Sequence, residues 1–177
     1  LKLIGKYNIL NATAAIALCL NLGLKIQTIK KSLKNFSGVQ RRLTKVFIKN
    51  KVEFYDDYAH HPTEIKSVLE AIRKVAPKKK IITIFQPHRY SRVRTLKSEF
   101  ASCFKYTDEV ILCPVYVAGE SKDKKYNQVK FAELISKKSK AQVIIVKDEL
   151  DIIKYFRKNL IKDEIVIGMG AGSISKW

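Results

Sequence analysis

Residues 81–113 read IITIFQPHRYSRVRTLKSEFASCFKYTDEVILC, and the pattern of this stretch decides the fold. Two short apolar runs, IITIF and EVILC, have the length and composition of buried strands. Between them, Leu96, Phe100, Cys103 and Phe104 recur at helical spacing. A buried strand, an amphipathic helix and a second buried strand are typical of a parallel sheet that is covered on both faces.

The same alternation extends in both directions from this stretch. Downstream, we expect a polar loop over residues 118–127, helices near 129–137 and 149–158, and strands at 142–146 and 164–168. Upstream, Pro62 suits the first turn of a helix, and residues 45–57 predict two strands around an Asn50-Lys51 turn. We therefore interpret residues 42–177 as one α/β domain with a Rossmann-like, mostly parallel sheet and helices on both faces.

The beginning of the chain has a different character. Residues 8–22, NILNATAAIALCLNL, are rich in Ala and Leu and are followed by Gly23, which predicts a helix of the buried type. Residues 26–36 predict a second, more amphipathic helix. The pattern changes at the arginine pair 41–42, so we expect residues 1–41 to be the end of a different domain.

The composition is that of a basic, globular protein. Hydrophobic residues make up 46% of the chain, and 35 Lys and Arg against 16 Asp and Glu give a net charge of +19. This charge comes from 28 Lys and only 7 Arg, whereas nucleic-acid readers favour the planar fork of Arg. We interpret the lysines mainly as a solvated surface, and a basic nucleic-acid-binding α/β module stays open as an alternative.

Several classes of protein fit the composition poorly. Cys19, Cys103 and Cys113 are odd in number and lack C-x-x-C spacing, which favours reduced thiols in a cytoplasmic protein over a disulfide framework or a zinc site. No apolar run approaches the roughly 18 residues of a membrane span, and no signal peptide is visible. Since the chain begins with Leu1 and its only methionine is Met169, we expect a processed product or a fragment.

All three histidines follow predicted strands. His60 and His61 lie in DDYAHHP and His88 lies in FQPHRYSR, so we expect them at the carboxyl edge of the sheet, where ligands bind. Imidazoles there could donate hydrogen bonds or exchange protons near neutral pH. Arg89 and Arg92, three residues apart, would share one side of a first helical turn and could clamp a carboxylate or a phosphate.

Two further motifs leave alternatives open. Asp57, in the pair Asp56-Asp57, could accept from a ribose hydroxyl or hold a divalent cation through water, or the pair could cap a strand–helix junction. The sequence GMGAGS at 168–173 resembles a dinucleotide-binding turn, but its spacing favours a tight strand-to-helix turn. No P-loop pattern occurs, so a phosphate cradle would come from elsewhere, and no metal ligands are predicted.

The segments GKYNILNATAAIA, FSGVQRR, DDYAHHPTEI, FQPHRYSR, VYVAGE and GAGSI, in this order, resemble the C-terminal third of the Mur ligases. The resemblance spans nearly the whole chain. It is greatest to members that add L-alanine to UDP-N-acetylmuramate in peptidoglycan synthesis. Members that recycle murein tripeptide share the His-His-Pro segment but resemble this chain less at FQPHRYSR, and they remain an alternative.

The resemblance implies a three-domain, cytoplasmic, ATP-dependent amide-bond ligase that works through an acyl phosphate and serves cell-wall formation, cell shape and division. Residues 1–41 would be the helical end of the central ATP-binding domain, and residues 42–177 the amino-acid-binding domain. ATP and Mg²⁺ would be bound mainly by the missing central domain. The partners would be L-alanine, ATP, UDP-N-acetylmuramate and the missing domains, with no nucleic acid and no membrane. The fragment alone would be inactive.

The resemblance also assigns roles to residues. It places Asn11 near the adenine, Arg42 near the nucleotide phosphates and Asp57 at the ribose. The alanine and acyl-phosphate end of the site would be lined by Tyr58, His60, His88, Arg89 and Arg92, of which the two histidines and two arginines would be catalytic. The chain departs from the family at Tyr7, where His is usual, and at Thr44, where Glu is common.

Overall fold

The computed structural model describes residues 3–177. Its elements, in chain order, are α1 (Lys6–Asn21), α2 (Ile26–Asn35), β1 (Thr44–Lys49), β2 (Val52–Asp57), α3 (Pro62–Val75), β3 (Ile81–Phe85), α4 (Tyr90–Thr95), α5 (Lys97–Ser102), β4 (Glu109–Leu112), α6 (Gln128–Ser139), β5 (Gln142–Ile145), α7 (Glu149–Asn159), β6 (Ile165–Met169) and a 3-10 turn (Ile174–Lys176).

One six-stranded sheet organises the chain, in the order β1-β2-β6-β3-β4-β5. Strand β1 pairs with β2 in antiparallel fashion, through the predicted hairpin at Asn50 and Lys51. All other pairings are parallel. The expected mostly parallel sheet is therefore confirmed, with a single antiparallel strand at one edge.

Alternate residues of each central strand enter two separate cores. On β3, Ile81 and Phe85 face a core that contains side chains of α3, α5 and α6. Ile82 and Ile84 of the same strand face a second core, which includes Ile152 of α7 and the 3-10 turn. Strands buried on both faces explain why β3 and β4 read as apolar runs rather than alternating patterns. Helices cover both faces of the sheet, as predicted.

The segment after β3 differs from the single helix expected around residues 96–104. Two six-residue helices, α4 and α5, are separated at Leu96, which has φ −107° and ψ 28°. The amide of Leu96 closes the end of α4 on the carbonyl of Arg92, and its own carbonyl starts α5 by accepting from Phe100. The break allows α4 to follow the loop beyond β3 while Phe100 of α5 enters the core.

The prediction that the first helix is buried is wrong. None of the residues of α1 is buried, and Ile9 and Leu18 are each 62% exposed. The helix packs lightly against α2 and α3, and nothing within residues 3–177 covers its outer faces. Its Ala- and Leu-rich composition indicated burial, but within the described chain α2 and α3 contact it and leave most of its surface exposed. No helix in this part of the chain has the length and hydropathy for a membrane crossing.

The three cysteines are unpaired, as expected. Cys19 is half-buried, whereas Cys103 and Cys113 lie in the core. Burial raises the pKa of the Cys113 thiol to about 12 and also raises the pKa of Cys103. Both core thiols are therefore protonated near neutral pH and act as small apolar side chains.

Candidate active site at the carboxyl edge of the sheet

The carboxyl ends of β2, β6, β3 and β4 lie side by side at one edge of the sheet. The loop after β2 carries Tyr58 and His60, the loop after β3 carries His88 and Arg89, and the segment after β4 carries Tyr116. Of the three histidines expected at this edge, two come together, since the ring centroids of His60 and His88 lie 5.8 Å apart.

Four rings form a row along this edge. The Tyr58 and His60 centroids are 5.1 Å apart, and beyond His88 the ring of Tyr116 stacks at 5.5 Å with an interplanar angle of 23°. Tyr116 was not among the predicted site residues. It lies in the VYVAGE segment, which contributed to the family resemblance, so the sequence did contain a signal for it.

The adjacent histidines have different environments. Nδ1 of His60 lies 2.9 Å from the carbonyl of Tyr58 and 3.3 Å from a carboxylate oxygen of Glu64. His61 instead caps the start of helix α3, because its Nδ1 accepts from the amide of Thr63 while Glu64 accepts from the amide of His61. Two of the three histidines therefore belong to the edge site, and the third is a helix cap.

His88 is held as a neutral imidazole beside an arginine. Nη1 of Arg92 lies 3.5 Å from Nδ1 of His88. Burial, followed by the positive charges of Arg92, His60 and Arg89, lowers the pKa of His88 below its ordinary value of 6.5, and Glu120 opposes this only weakly. A guanidinium can only donate, so the contact makes Nδ1 the acceptor and leaves the proton on Nε2.

The expected pairing of Arg89 and Arg92 on one helical turn is wrong. Helix α4 begins at Tyr90, and Arg89 precedes it with φ 71° and ψ 132°, a left-handed conformation that is uncommon for residues other than glycine. The amide of Arg89 donates to the carbonyl of Tyr116 at 2.9 Å. The exposed Arg89 and the half-buried Arg92 therefore reach the edge from different backbone geometries, although both lie beside His88.

Asp57 closes the loop that precedes β1. Its side chain is 1% exposed, one carboxylate oxygen accepts from the amide of Ala59 at 2.7 Å, and the other accepts from the amide of Leu43 at 2.6 Å. Burial raises the pKa of Asp57, and these two amides oppose the rise. The geometry supports the capping alternative for this residue, and its contact with a ribose stays a prediction.

Arg41 joins the segment before β1 to the sheet edge, a role that the sequence did not indicate beyond the Arg41-Arg42 pair. Its Nη2 donates to the carbonyl of Gly170 at 2.6 Å, and its Nε lies 3.5 Å from a carboxylate oxygen of Asp56. Its guanidinium also lies 4.8 Å from the ring centroid of Tyr58. These contacts connect residues far apart in the chain, whereas the side chain of Arg42 is exposed.

Two cavities adjoin on the side of α1. The larger, of about 510 Å³, is lined mainly by apolar side chains of α1, α2 and residues 36–42, and the smaller, of about 200 Å³, lies between α1 and α3. Both are lined by Tyr7, Asn11 and Arg42, and the smaller also by Asp57. The three residues predicted to contact a nucleotide therefore border one cavity.

The geometry of the turn after β6 supports the structural interpretation of GMGAGS. Nε2 of Gln86 donates to the hydroxyl of Ser173 at 3.2 Å, and its Oε1 accepts from the amide of Ile174 at 3.1 Å. A Cβ on Gly170 would lie 2.9 Å from the carbonyl oxygen of Gln86, so only glycine fits there. Within residues 3–177, no group of three or more His, Cys, Asp or Glu side chains is arranged to hold a metal ion.

The family profile described as "Mur ligase, glutamate ligase domain" matches residues 41–172. The chain belongs to the Mur ligase family. This Mur ligase chain is 48% identical over 177 residues to the UDP-N-acetylmuramate–L-alanine ligase of Pelagibacter ubique (strain HTCC1062), with 100% of the chain and 38% of that relative covered. It is 41% identical over 177 residues to the ligase of the same name from Bartonella tribocorum, with 100% and 37% covered. The Mur ligase chain thus spans less than two-fifths of these relatives.

Solved structures agree with this membership. The UDP-N-acetylmuramate-alanine ligase of Thermotoga maritima matches 99% of the Mur ligase chain with a TM-score of 0.80 and 30% identity, over 37% of its own length. A murein peptide ligase from Psychrobacter arcticus 273-4 matches 97% of the chain and 35% of its own, with a TM-score of 0.70 and 22% identity, which shows the shared fold alone. The sheet and its covering helices are thus those of Mur ligase C-terminal regions.

Proposed function

We propose that this chain is the C-terminal part of an ATP-dependent ligase that joins L-alanine to UDP-N-acetylmuramate in peptidoglycan biosynthesis. Residues 1–41 would end the central ATP-binding domain and residues 42–177 would form the amino-acid-binding domain. The observation that carries the proposal is the meeting of His60, His88, Arg89 and Arg92 at the carboxyl edge of the sheet. Similarity over the whole chain to relatives named for this reaction supports the same choice of substrates.

The charges at the edge suit a small zwitterion and a phosphoryl group. Arg89 and Arg92 can hold the alanine carboxylate or the acyl phosphate through charge-assisted hydrogen bonds. In the reaction, the muramoyl carboxylate takes the γ-phosphoryl group of ATP and ADP leaves. The alanine amine then attacks the acyl carbon, and the tetrahedral intermediate expels phosphate. Tyr58 and the row of rings would shape the space around these groups.

The amine must lose a proton to attack. His88 has a lowered pKa and therefore a free imidazole lone pair near neutral pH, which makes it a suitable proton acceptor. His60 lies next to it and can hold the same proton or orient the amine. The guanidinium of Arg92 beside His88 also stabilises the negative charge that develops on the acyl phosphate.

The two cavities near α1 suit the nucleotide. The apolar lining of the larger cavity fits a base, with Asn11 available for hydrogen bonds to its edge, and Arg42 borders both cavities where phosphates would lie. The hydroxyl of Tyr7, at the junction, is buried without a hydrogen-bond partner within residues 3–177, so it is available to a polar atom of a bound nucleotide. Mg²⁺ neutralises phosphate charge, and we expect the part of the ligase outside this chain to bind it.

The location and partners follow from this function. A ligase of this class works in the cytoplasm on soluble precursors, and through the cell wall it serves cell shape and division. Its partners would be L-alanine, ATP, UDP-N-acetylmuramate and the other ligase domains, whose surfaces would cover the exposed apolar side chains of α1. No nucleic-acid or membrane partner is required, because the dispersed lysines make an ordinary solvated surface.

The experiment is a substrate comparison with the complete protein that contains this chain. With ATP, Mg²⁺ and UDP-N-acetylmuramate, L-alanine should release ADP and add one alanyl residue to the acceptor, as measured by mass spectrometry. Murein tripeptide should give no product, and the 177-residue chain alone should be inactive. Product with tripeptide but not with alanine would reassign the chain to the recycling ligases. Salt-sensitive binding of a DNA duplex without ligase activity would favour the basic-module alternative.

A further inference from the structure

The carboxylate of Glu120 caps a helix that belongs to a different segment. One carboxylate oxygen accepts from the amide of Ser91 at 3.1 Å, and the other accepts from the hydroxyl of Ser91. These groups lie in the first turn of α4, where amides have no partner inside the helix. The N-cap residue of α4 is Arg89, and within the described chain its side chain makes no capping hydrogen bond.

The backbone just before this cap needs support. Arg89 adopts φ 71°, a conformation that is unfavourable for a residue with a side chain and persists only when its surroundings hold it. The amide of Arg89 donates a hydrogen bond to the carbonyl of Tyr116, and the amide of Ser91 donates one to the carboxylate of Glu120. Both partners belong to the same loop after β4, so this loop determines how Arg89 enters the helix.

The orientation of α4 in turn decides where both arginines point. Arg89 stands at its start, and Arg92, one turn later, places its guanidinium 3.5 Å from His88. Glu120 remains ionised near neutral pH, because hydrogen bonds from Ser91 lower its pKa. Each carboxylate oxygen of Glu120 accepts from Ser91, and within residues 3–177 no ion pair joins Glu120 to Arg89 or Arg92, so both guanidinium groups stay available to a ligand.

We propose that Glu120 is a positioning residue, which fixes Arg89 and Arg92 for the amino-acid carboxylate by capping α4 from the loop after β4. This inference rests on the function proposed above. It predicts that loss of Glu120 weakens the use of alanine while the nucleotide side is unaffected, because Glu120 touches neither cavity near α1.

The chain offers a matched control in the same two segments. Asp123 of the loop accepts from Nη1 of Arg94 on α4 at 3.1 Å, so it also connects the loop to the helix. This ion pair lies near the surface, because the side chain of Arg94 is 71% exposed. Asp123→Ala removes a loop-to-helix charge contact without touching the amides at the start of α4. A general loosening of the loop would affect both variants alike.

The test measures steady-state kinetics of ADP release in the complete protein. Glu120→Ala should raise the KM for alanine about five- to tenfold, with the KM for ATP unchanged, and Ser91→Ala, which keeps the amide bond to Glu120, should raise it by a smaller factor. The double variant should be no worse than Glu120→Ala alone, Glu120→Gln should restore most of the loss, and Asp123→Ala should match the wild type. An unchanged alanine KM in Glu120→Ala, or an equal rise in Asp123→Ala, would overturn the inference.

A second measurement separates this inference from the proposed function. In the 177-residue chain, the amide of Ser91 should exchange with solvent about tenfold faster in Glu120→Ala than in the wild type or in Asp123→Ala. Unchanged exchange contradicts the capping role, whatever the substrate is. Faster exchange in a protein that shows no alanine-dependent ADP release would retain the cap and reject both the proposed function and the positioning role that depends on it.

Discussion

Gly172 and Tyr116 lie so close that no side chain fits between them. A Cβ on Gly172 would lie 2.5 Å from Cγ and 2.8 Å from Cβ of Tyr116, and 2.5 Å from Oε1 of Gln86. Atoms this near the backbone cannot swing away, and Tyr116 stacks on His88. The turn after β6 therefore holds the row of rings in place.

Gly172→Ala should consequently lower the free energy of unfolding by about 1–3 kcal/mol and displace Tyr116 from His88. Gly168→Ala is the matched control, since its nearest neighbour would be the carbonyl oxygen of Tyr55 at 3.8 Å, an ordinary contact. Urea denaturation of the two variants checks this difference. Equal stabilities would mean that the turn relaxes without cost and that Gly172 is not required.

The pKa of His88 should depend on Arg92. Burial is the main cause of its lowering and Arg92 is the next, so Arg92→Gln should raise the pKa toward 6.5 without reaching it. NMR titration of the imidazole measures this, and Arg94→Gln should leave it unchanged. Because the pKa of His88 is lower in the folded chain than in the unfolded chain, the free energy of unfolding decreases as the pH falls from 6.5 to the folded pKa. Arg92→Gln should narrow that pH range. An unchanged pKa of His88 in this variant would show that Arg92 does not act on His88.

Asp57→Asn should destabilise the chain. An asparagine can replace one of the two carboxylate oxygens, so the amide of either Leu43 or Ala59 would face an NH₂ group, at a cost of roughly 1–3 kcal/mol. Asp56→Asn should cost less, since one oxygen of Asp56 has no partner within the described residues and the other is 3.5 Å from Arg41. Chemical denaturation compares them, and a larger loss in Asp56→Asn would show that Asp57 is not the anchor.

Tyr7 and Tyr126 form a second matched pair, because both hydroxyls are buried without partners in the part of the chain that the structure describes. Burial, followed by the negative charge of Asp57, raises the pKa of Tyr7, so its hydroxyl stays protonated near neutral pH. Tyr7→Phe and Tyr126→Phe should each leave the free energy of unfolding unchanged or raise it. Only Tyr7→Phe should weaken ATP binding, measured by calorimetry on the complete protein. Equal ATP affinities in both variants would place the nucleotide elsewhere.

The sequence predicted the features that depend on local periodicity. The strands at 81–85 and 164–168, the start of α3 at Pro62 and the hairpin at Asn50 follow from apolar pattern and turn chemistry. The placement of His60 and His88 at one edge also followed, because the carboxyl ends of parallel strands share an edge. Their contact depends on the strand order, in which only β6 separates β2 from β3. Assignment to the Mur ligases needed only short motifs in the right order.

What the sequence missed depends on contacts between distant segments. Arg41 contacts the carbonyl of Gly170, 129 positions away, and Glu120 caps a helix that starts 30 residues earlier. The left-handed conformation of Arg89 could not be foreseen either, because it is imposed by the loop that carries Tyr116. The prediction from composition that α1 is buried was wrong, because an Ala- and Leu-rich helix is buried only when another element covers it.

We propose that Arg89 and its neighbours bind the amino acid at the carboxyl edge of the sheet. The most direct measurement is the alanine dependence of ADP release by the complete protein, compared between Arg89→Ala and Arg94→Ala. Both variants remove an exposed arginine from the same short segment. We expect Arg94→Ala to match the wild type and Arg89→Ala to lose at least about tenfold in kcat/KM for alanine. Equal values in the two variants would contradict the claim.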